Sequence, residues 1–154
     1  MDEIIGISLI VILSSATLTA LLSVLIYLIP ARIETMAQLV TTRPKRTFLI
    51  GLVNGLFFGI VAAWLSELGE FAALLAALIL LSLLGLTAVG LSSLVYLLRG
   101  RVYPTEAAGI KVTLKTAVLL IIAALTPVVG WFVFTPALLF VGLGAAITTI
   151  VRRN

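Results

Sequence analysis

The stretch Thr116–Val151, TAVLLIIAALTPVVGWFVFTPALLFVGLGAAITTIV, runs for 36 residues without a charge. As one helix at 1.5 Å per residue it would measure about 54 Å, whereas a bilayer core of ~30 Å needs about 20 helical residues. Pro127 and Gly130 stand near where a reversal is needed, because proline interrupts the helical ladder and glycine suits a turn. The stretch therefore reads as a hairpin of two short spans, residues 109–126 and 131–151.

Working outward, three further uncharged runs follow the same arithmetic: Ile4–Ile29, Thr47–Ser66 and Phe71–Leu98. Each is one span, the third long enough to tilt or project. The basic residues test the count. None precedes Ile4, four lie in Ala31–Arg46, none in Ser66–Glu70, four in Arg99–Lys115, and two, Arg152 and Arg153, follow the last run. Four spans would put the terminal arginines opposite the other eight; five spans gather all ten on one side, as the positive-inside bias prefers. The expected architecture is an all-α integral membrane protein of 154 residues in a single transmembrane domain. It has five helices, spans 4–29, 47–66, 71–98, 109–126 and 131–151, with the N-terminus outside and the C-terminus cytoplasmic. Trp64 and Trp131 fall near the outer boundary and Tyr27, Tyr96 and Tyr103 near the inner one, although Trp131 also fits packing between helices.

Composition agrees. The chain is 62% hydrophobic and 10% charged, with mean hydropathy +1.33, far from the ~25% charged usage of soluble domains. Cysteine and histidine are both absent, which removes disulfides, thiolate nucleophiles, imidazole ligation and the commonest general base. No cofactor or metal is expected. A net charge of +4 permits a nucleic-acid partner, but the basic residues are scattered in short loops beside apolar spans, which matches anionic lipid headgroups instead. Asp2 and Glu3 stand where an export signal is basic, and the first run is too long for one, so no cleavage is expected.

Between the first two spans, Pro30–Thr42 places Ile33, Met36, Ala37 and Val40 at helical offsets, a pattern for a short interfacial helix over residues 30–42. Pro30 suits a first turn and Pro44 discourages helix past Arg43. Arg32, Arg43, Lys45 and Arg46 in this connection, with Arg99 and Arg101 in the next, either hold the loops inside or contact lipid or partner headgroups; holding topology is the preferred reading.

Gly51, Gly55 and Gly59 recur every four residues with Asn54 alongside. Such a stripe admits another helix closely where lipid gives no hydrophobic drive to associate. Ser15, Thr19 and Ser23 form a small polar stripe on the first span, and Gly142 with Ala146 another on the last. The simplest bundle pairs these stripes. Asn54 is expected to bond across helices or to line a solute path. No Asp, Glu, Lys or Arg lies clearly inside a span, Lys111 and Lys115 standing in the first turns of the fourth, which counts against an ion-coupled transporter, and Glu67 with Glu70 read as solvated turn charges.

Pro30, Met36-Ala37, Leu39, Arg43-Pro44, Arg46, Phe48, Gly51-Leu52, Gly85-Leu86-Thr87, Pro127-Val128-Val129-Gly130-Trp131 and Gly142-Leu143-Gly144 together resemble the multi-span domain attached to some bacterial bactofilin-like, polymer-forming proteins. The resemblance implies a prokaryotic cytoplasmic-membrane domain and transfers no catalytic residue. The soluble β-solenoid of those relatives has no counterpart here, so polymer formation is not implied.

The expected role is that of a non-enzymatic membrane subunit that packs in, anchors or stabilises a larger assembly, of other subunits or of its own copies. The rival is a small channel or carrier using Asn54, Ser82, Thr87, Ser92 and Ser93.

Overall fold

Prolines set most of the breaks. In the computed structural model, which describes residues 2–107 and 109–151, helix α1 spans Asp2–Leu28, α2 Pro30–Thr42 and α3 Pro44–Ser66. Pro30 and Pro44 each open a helix, where a missing N–H and a fixed φ cost nothing. Arg43, held before Pro44, leaves the helical region at φ −141°, ψ 59°. Helix α4 runs Glu70–Val102, farther than the apolar run that ends at Leu98. Charge marks where lipid ends, not where a helix ends; Arg99 and Arg101 are good helix formers, and α4 stops only at Tyr103, the residue before Pro104.

Helix α5, Ile110–Leu125, and helix α6, Thr135–Val151, divide the long uncharged stretch. Thr126 before Pro127 is extended (ψ 124°), Val128 takes φ 66°, and a π-helical turn over Gly130–Phe134 leads into α6. A β-branched residue in the left-handed region is strained by roughly 1–2 kcal/mol. The turn is drawn tight: a Cβ on Gly130 would lie 2.6 Å from the Ala124 carbonyl oxygen, and Thr135 Oγ1 donates back to that same oxygen at 3.3 Å. The segments fold beside each other as a hairpin.

Among the described residues the fold is wholly helical. Helices α1, α3, α4 and the segment Gly130–Val151 are long and apolar enough to cross a membrane. At about 24 Å by helical rise, α5 is shorter. Between its charged ends the outward surface is apolar, with Ile4, Ile60, Phe71, Leu81, Phe132 and many others exposed, the surface of a protein embedded in a membrane. Trp64 and Trp131 are 66% and 62% exposed, so Trp131 projects outward rather than packing between helices.

The bundle is organised around α6, which packs on α3 and α4. Gly51 and Gly144 meet so closely that a Cβ on either would fall on backbone of the other helix, at the Phe140 and Thr47 carbonyls respectively. Gly90 of α4 meets the Gly142 carbonyl in the same way. Phe48 and Phe140 stack edge to face, centroids 5.9 Å apart. The pairing of like stripes is corrected on α1. Its buried face, with Thr19, Leu22, Ser23 and Ile26, packs on α4 and α5, against Leu91, Leu94, Val95, Ala117 and Leu120. The thirteen-residue α2, about 20 Å long, carries the chain across one end of the bundle, so α1 and α3 need not be neighbours. Its buried Ile33, Met36, Ala37 and Leu39 face the bundle.

The glycine contacts rank by what a methyl group would meet. Gly51→Ala, Gly90→Ala and Gly144→Ala push against backbone, which cannot yield without separating helices, and each should lower the melting temperature in mild detergent strongly, in the range of about 1–3 kcal/mol or above. At Gly55 the neighbours are the side chains of Phe140 (3.2 Å) and Leu143 (3.4 Å), so a smaller loss is expected. Gly59 has nothing within 4 Å, and Gly59→Ala should be neutral. A fluorescence-detected thermal series on the five variants checks that order.

Candidate functional site

The antiparallel packing collects Arg32, Arg43, Lys45, Arg46, Arg99, Arg101, Lys111 and Lys115 at one end of the bundle, with Glu67 and Glu70 at the other. Arg152 and Arg153 lie outside the described residues. At the basic end two grooves flank the last turns of α6. One, of about 340 Å³, lies among α2, α3 and α6, with Arg43 and Arg46 beside Thr47, Thr148 and Asn54, and Leu39, Ile50, Ile147 and Val151 as apolar walls. The other, of about 790 Å³, lies among α2, α4 and α6, with Arg32 as its one charged residue and Met36, Leu86 and Val89 among its walls.

The chain fixes the first groove's arginines locally. Arg43 is the non-helical link between α2 and α3, its backbone N–H donating to the Leu39 carbonyl at 3.0 Å, and its own carbonyl accepts the Thr47 hydroxyl at 3.0 Å. Arg46 follows in the first turn of α3. Among the described residues the one ion pair is Lys115 with Glu106, 3.3 Å. Arg43, Lys45, Arg46, Arg32 and Arg101 therefore have no carboxylate within 4 Å among those residues.

Arg99 is differently placed. Its guanidinium lies 4.4 Å from the Tyr96 ring centroid and donates through Nη1 to Thr113 Oγ1 at 3.2 Å. Thr113 is fully buried, lies 3.3 Å from the Tyr27 hydroxyl, and its own hydroxyl reaches the Gly109 carbonyl at 3.2 Å. Arg99 thus ties α4 to α5 and α1 instead of standing free for a headgroup. Sequence reasoning missed Thr113, whose hydroxyl offers no periodic signal.

The structure brings Gly51 and Gly55 onto Phe140, Leu143 and Gly144, and leaves Gly59 open. Ala146 is fully buried beside Met36. Asn54 donates to the carbonyl of Ile50 in its own helix at 2.8 Å, not to another helix, and faces the smaller groove. The same self-bonding recurs: Ser23 to Thr19, Ser82 to Leu78, Thr87 to Leu83, Ser92 to Ala88, Ser93 to Gly90, Thr116 to Val112. No buried side-chain N or O among the described residues lacks a partner. Gly90 and Gly144 were also missed as packing residues; the pair Gly142 and Gly144 offered a signal for both, because positions two apart on a helix differ by about 200° and so face opposite neighbours.

No group of three or more metal-ligating side chains occurs among the described residues. Comparison with protein-family profiles, curated proteins and solved structures finds no match.

The Thr113 junction makes its own test. Thr113→Val keeps the shape but removes the hydroxyl from Arg99 and Tyr27, both partly exposed, so a loss near the low end of about 1–3 kcal/mol is expected. Thr113→Ser should hold close to wild type. Melting of the two variants in detergent separates lost hydrogen bonding from altered packing.

Proposed function

We propose that this chain is a non-enzymatic subunit of a prokaryotic cytoplasmic-membrane assembly, crossing the bilayer five times, with its basic end inside, its N-terminus outside and α2 lying along the inner surface. The observation that carries the reading is the state of its polar side chains. The Ser, Thr and Asn groups expected to line a path are closed onto their own helix carbonyls, and the grooves at the basic end lie beside helices at the periphery. A solute pathway needs convergent polar groups free to bind. What the bundle offers outward is apolar surface and small residues. Gly59 of α3 and Gly85 of α4 have nothing within 4 Å of a Cβ position, and an apolar groove lined by Phe58, Leu75, Ile79 and Leu83 runs between those helices. Open small residues on a lipid-facing helix are where a further helix approaches closely.

The hairpin and the charges together support the reading of five crossings. The α5 helix is short for a ~30 Å core, but the turn that ends it brings α6 back beside α3 and α4, and only a crossing by α5 puts every basic loop on one side.

The wild-type chain has no cysteine, so single cysteines report topology cleanly. Cysteines replacing Glu67 and Val129 should react with an impermeant maleimide added outside, and those replacing Thr42 and Gly100 should not. Protection at Val129 with labelling at Glu67 would replace this reading with four crossings. Gentle isolation from the native membrane should then give stoichiometric partner proteins or a defined homo-oligomer. A monomer free of partners, or an oligomer that conducts solute in liposomes, would remove the subunit reading.

A further inference from the structure

The smaller groove at the basic end has the makings of a ligand site, and we propose that it binds one anionic phospholipid of the inner leaflet, the phosphate between Arg43 and Arg46 and one acyl chain along Ile50 and Ile147. This rests on the membrane orientation proposed above and names the lipid chemistry its basic end selects.

Charge supplies the first part of the argument. Arg43 and Arg46 line one groove of about 340 Å³, and no carboxylate among the described residues lies within 4 Å of either. Guanidinium groups are weakly hydrated forks that match phosphate oxygens in pairs. Arg43 is held outside both helices by Pro44, and Arg46 sits in the first turn of α3, where the helix also favours negative charge.

The groove's length supplies the second part. Arg46, Ile50 and Asn54 follow at four-residue spacing, one face of α3, and Ile147 and Val151 do the same on α6. From Arg46 to Asn54 the helix rises about 12 Å, most of the roughly 15 Å hydrocarbon depth of one leaflet. A free phosphate would occupy the mouth and leave the walls bare. A phospholipid fills both levels, its charged group at the arginines and its chain against the isoleucines. The neighbouring groove, with Arg32 as its one charge, lacks the paired cations.

The test reconstitutes the purified protein in phosphatidylcholine nanodiscs doped with phosphatidylglycerol and counts retained lipids by native mass spectrometry. Wild type should keep one phosphatidylglycerol in preference to phosphatidylcholine. R43Q/R46Q should bind it roughly thirty-fold more weakly, about five-fold for each arginine. R101Q/K111Q removes the same charge from the same end and should stay near wild type. Equal loss in both double variants means a general field and overturns the site, as does a wild type with no preference. Displacement by millimolar inorganic phosphate identifies a free-anion site and overturns the lipid assignment. If R43Q/R46Q melts early in detergent, R43K/R46K takes its place, keeping charge while losing the fork, and should weaken binding by an intermediate factor; binding equal to wild type sinks the paired-guanidinium claim. Partner co-purification from native membrane is read separately. Partners retained without lipid preference overturn this site alone, whereas lipid preference without partners overturns the subunit reading alone.

Discussion

Helix α6 touches its neighbours through backbone as well as through side chains. Gly144 lies against the Thr47 carbonyl and the Gly51 amide on one side, and Gly142 against Gly90 on the other. In lipid, burying an apolar side chain against another helix gains little, since hydrocarbon is already outside, so association depends on dispersion contacts and weak polar contacts that strengthen as helices approach. The two facing glycine pairs, Gly51 with Gly144 and Gly90 with Gly142, cannot be reproduced by larger residues without moving α3 or α4 outward. The positions of α5, which must reach α6 through the Thr126–Gly130 turn, and of α2, which packs on α4 and α6, depend on that arrangement.

The same constraint explains the treatment of polar residues. In hydrocarbon an unbonded hydroxyl or amide is costly, and the nearest acceptor is the carbonyl one turn earlier in the same helix. Ser23, Ser92, Ser93, Thr113 and Thr116 are buried with hydroxyls bonded to such carbonyls. Small residues of this type let helices pack without demanding partners across the interface. Side-chain polar groups reach between helices at the two ends of the bundle, at Tyr27, Arg99 and Thr113 near the basic end and at Thr135 beside the hairpin turn.

How much of this was legible depended on whether a residue acts on its own backbone or on a distant helix. Pro30 and Pro44 mark the ends of α2 because their ring geometry is local, and Pro127 marks the reversal for the same reason. The charge pattern marks the end of the apolar run at Leu98 but not the end of α4, whose helix continues until Pro104 forbids it. Val128 gave no sign of its φ of 66°, which is imposed by the closure of the hairpin and not chosen by its side chain. On α1 the stripe of Ser15, Thr19 and Ser23 marks part of the buried face, but not its partner: a stripe of small residues fits any helix that approaches closely. The smaller groove was illegible for a stronger reason, since its walls come from α2 and α3 on one side and from α6, more than ninety residues later, on the other.

The grooves nonetheless follow from the glycine contacts. Helices packed ridge into groove cross at an angle, so a pair held close at one level separates on either side of it. The α3–α6 contact is closest at Gly51 and Gly144, a turn or two from where α3 begins and α6 ends. Toward that end the interface passes from glycine to Thr47, Thr148, Ile147 and Val151, side chains that line an opening instead of closing it. Lipid enters any such opening at no great cost, whereas a charged wall at headgroup depth selects among lipids. Arg43 and Arg46 stand at the groove's end because Pro44 begins α3 there. The residue that starts the helix and the residues that hold it against α6 therefore jointly determine where the two arginines stand over the groove.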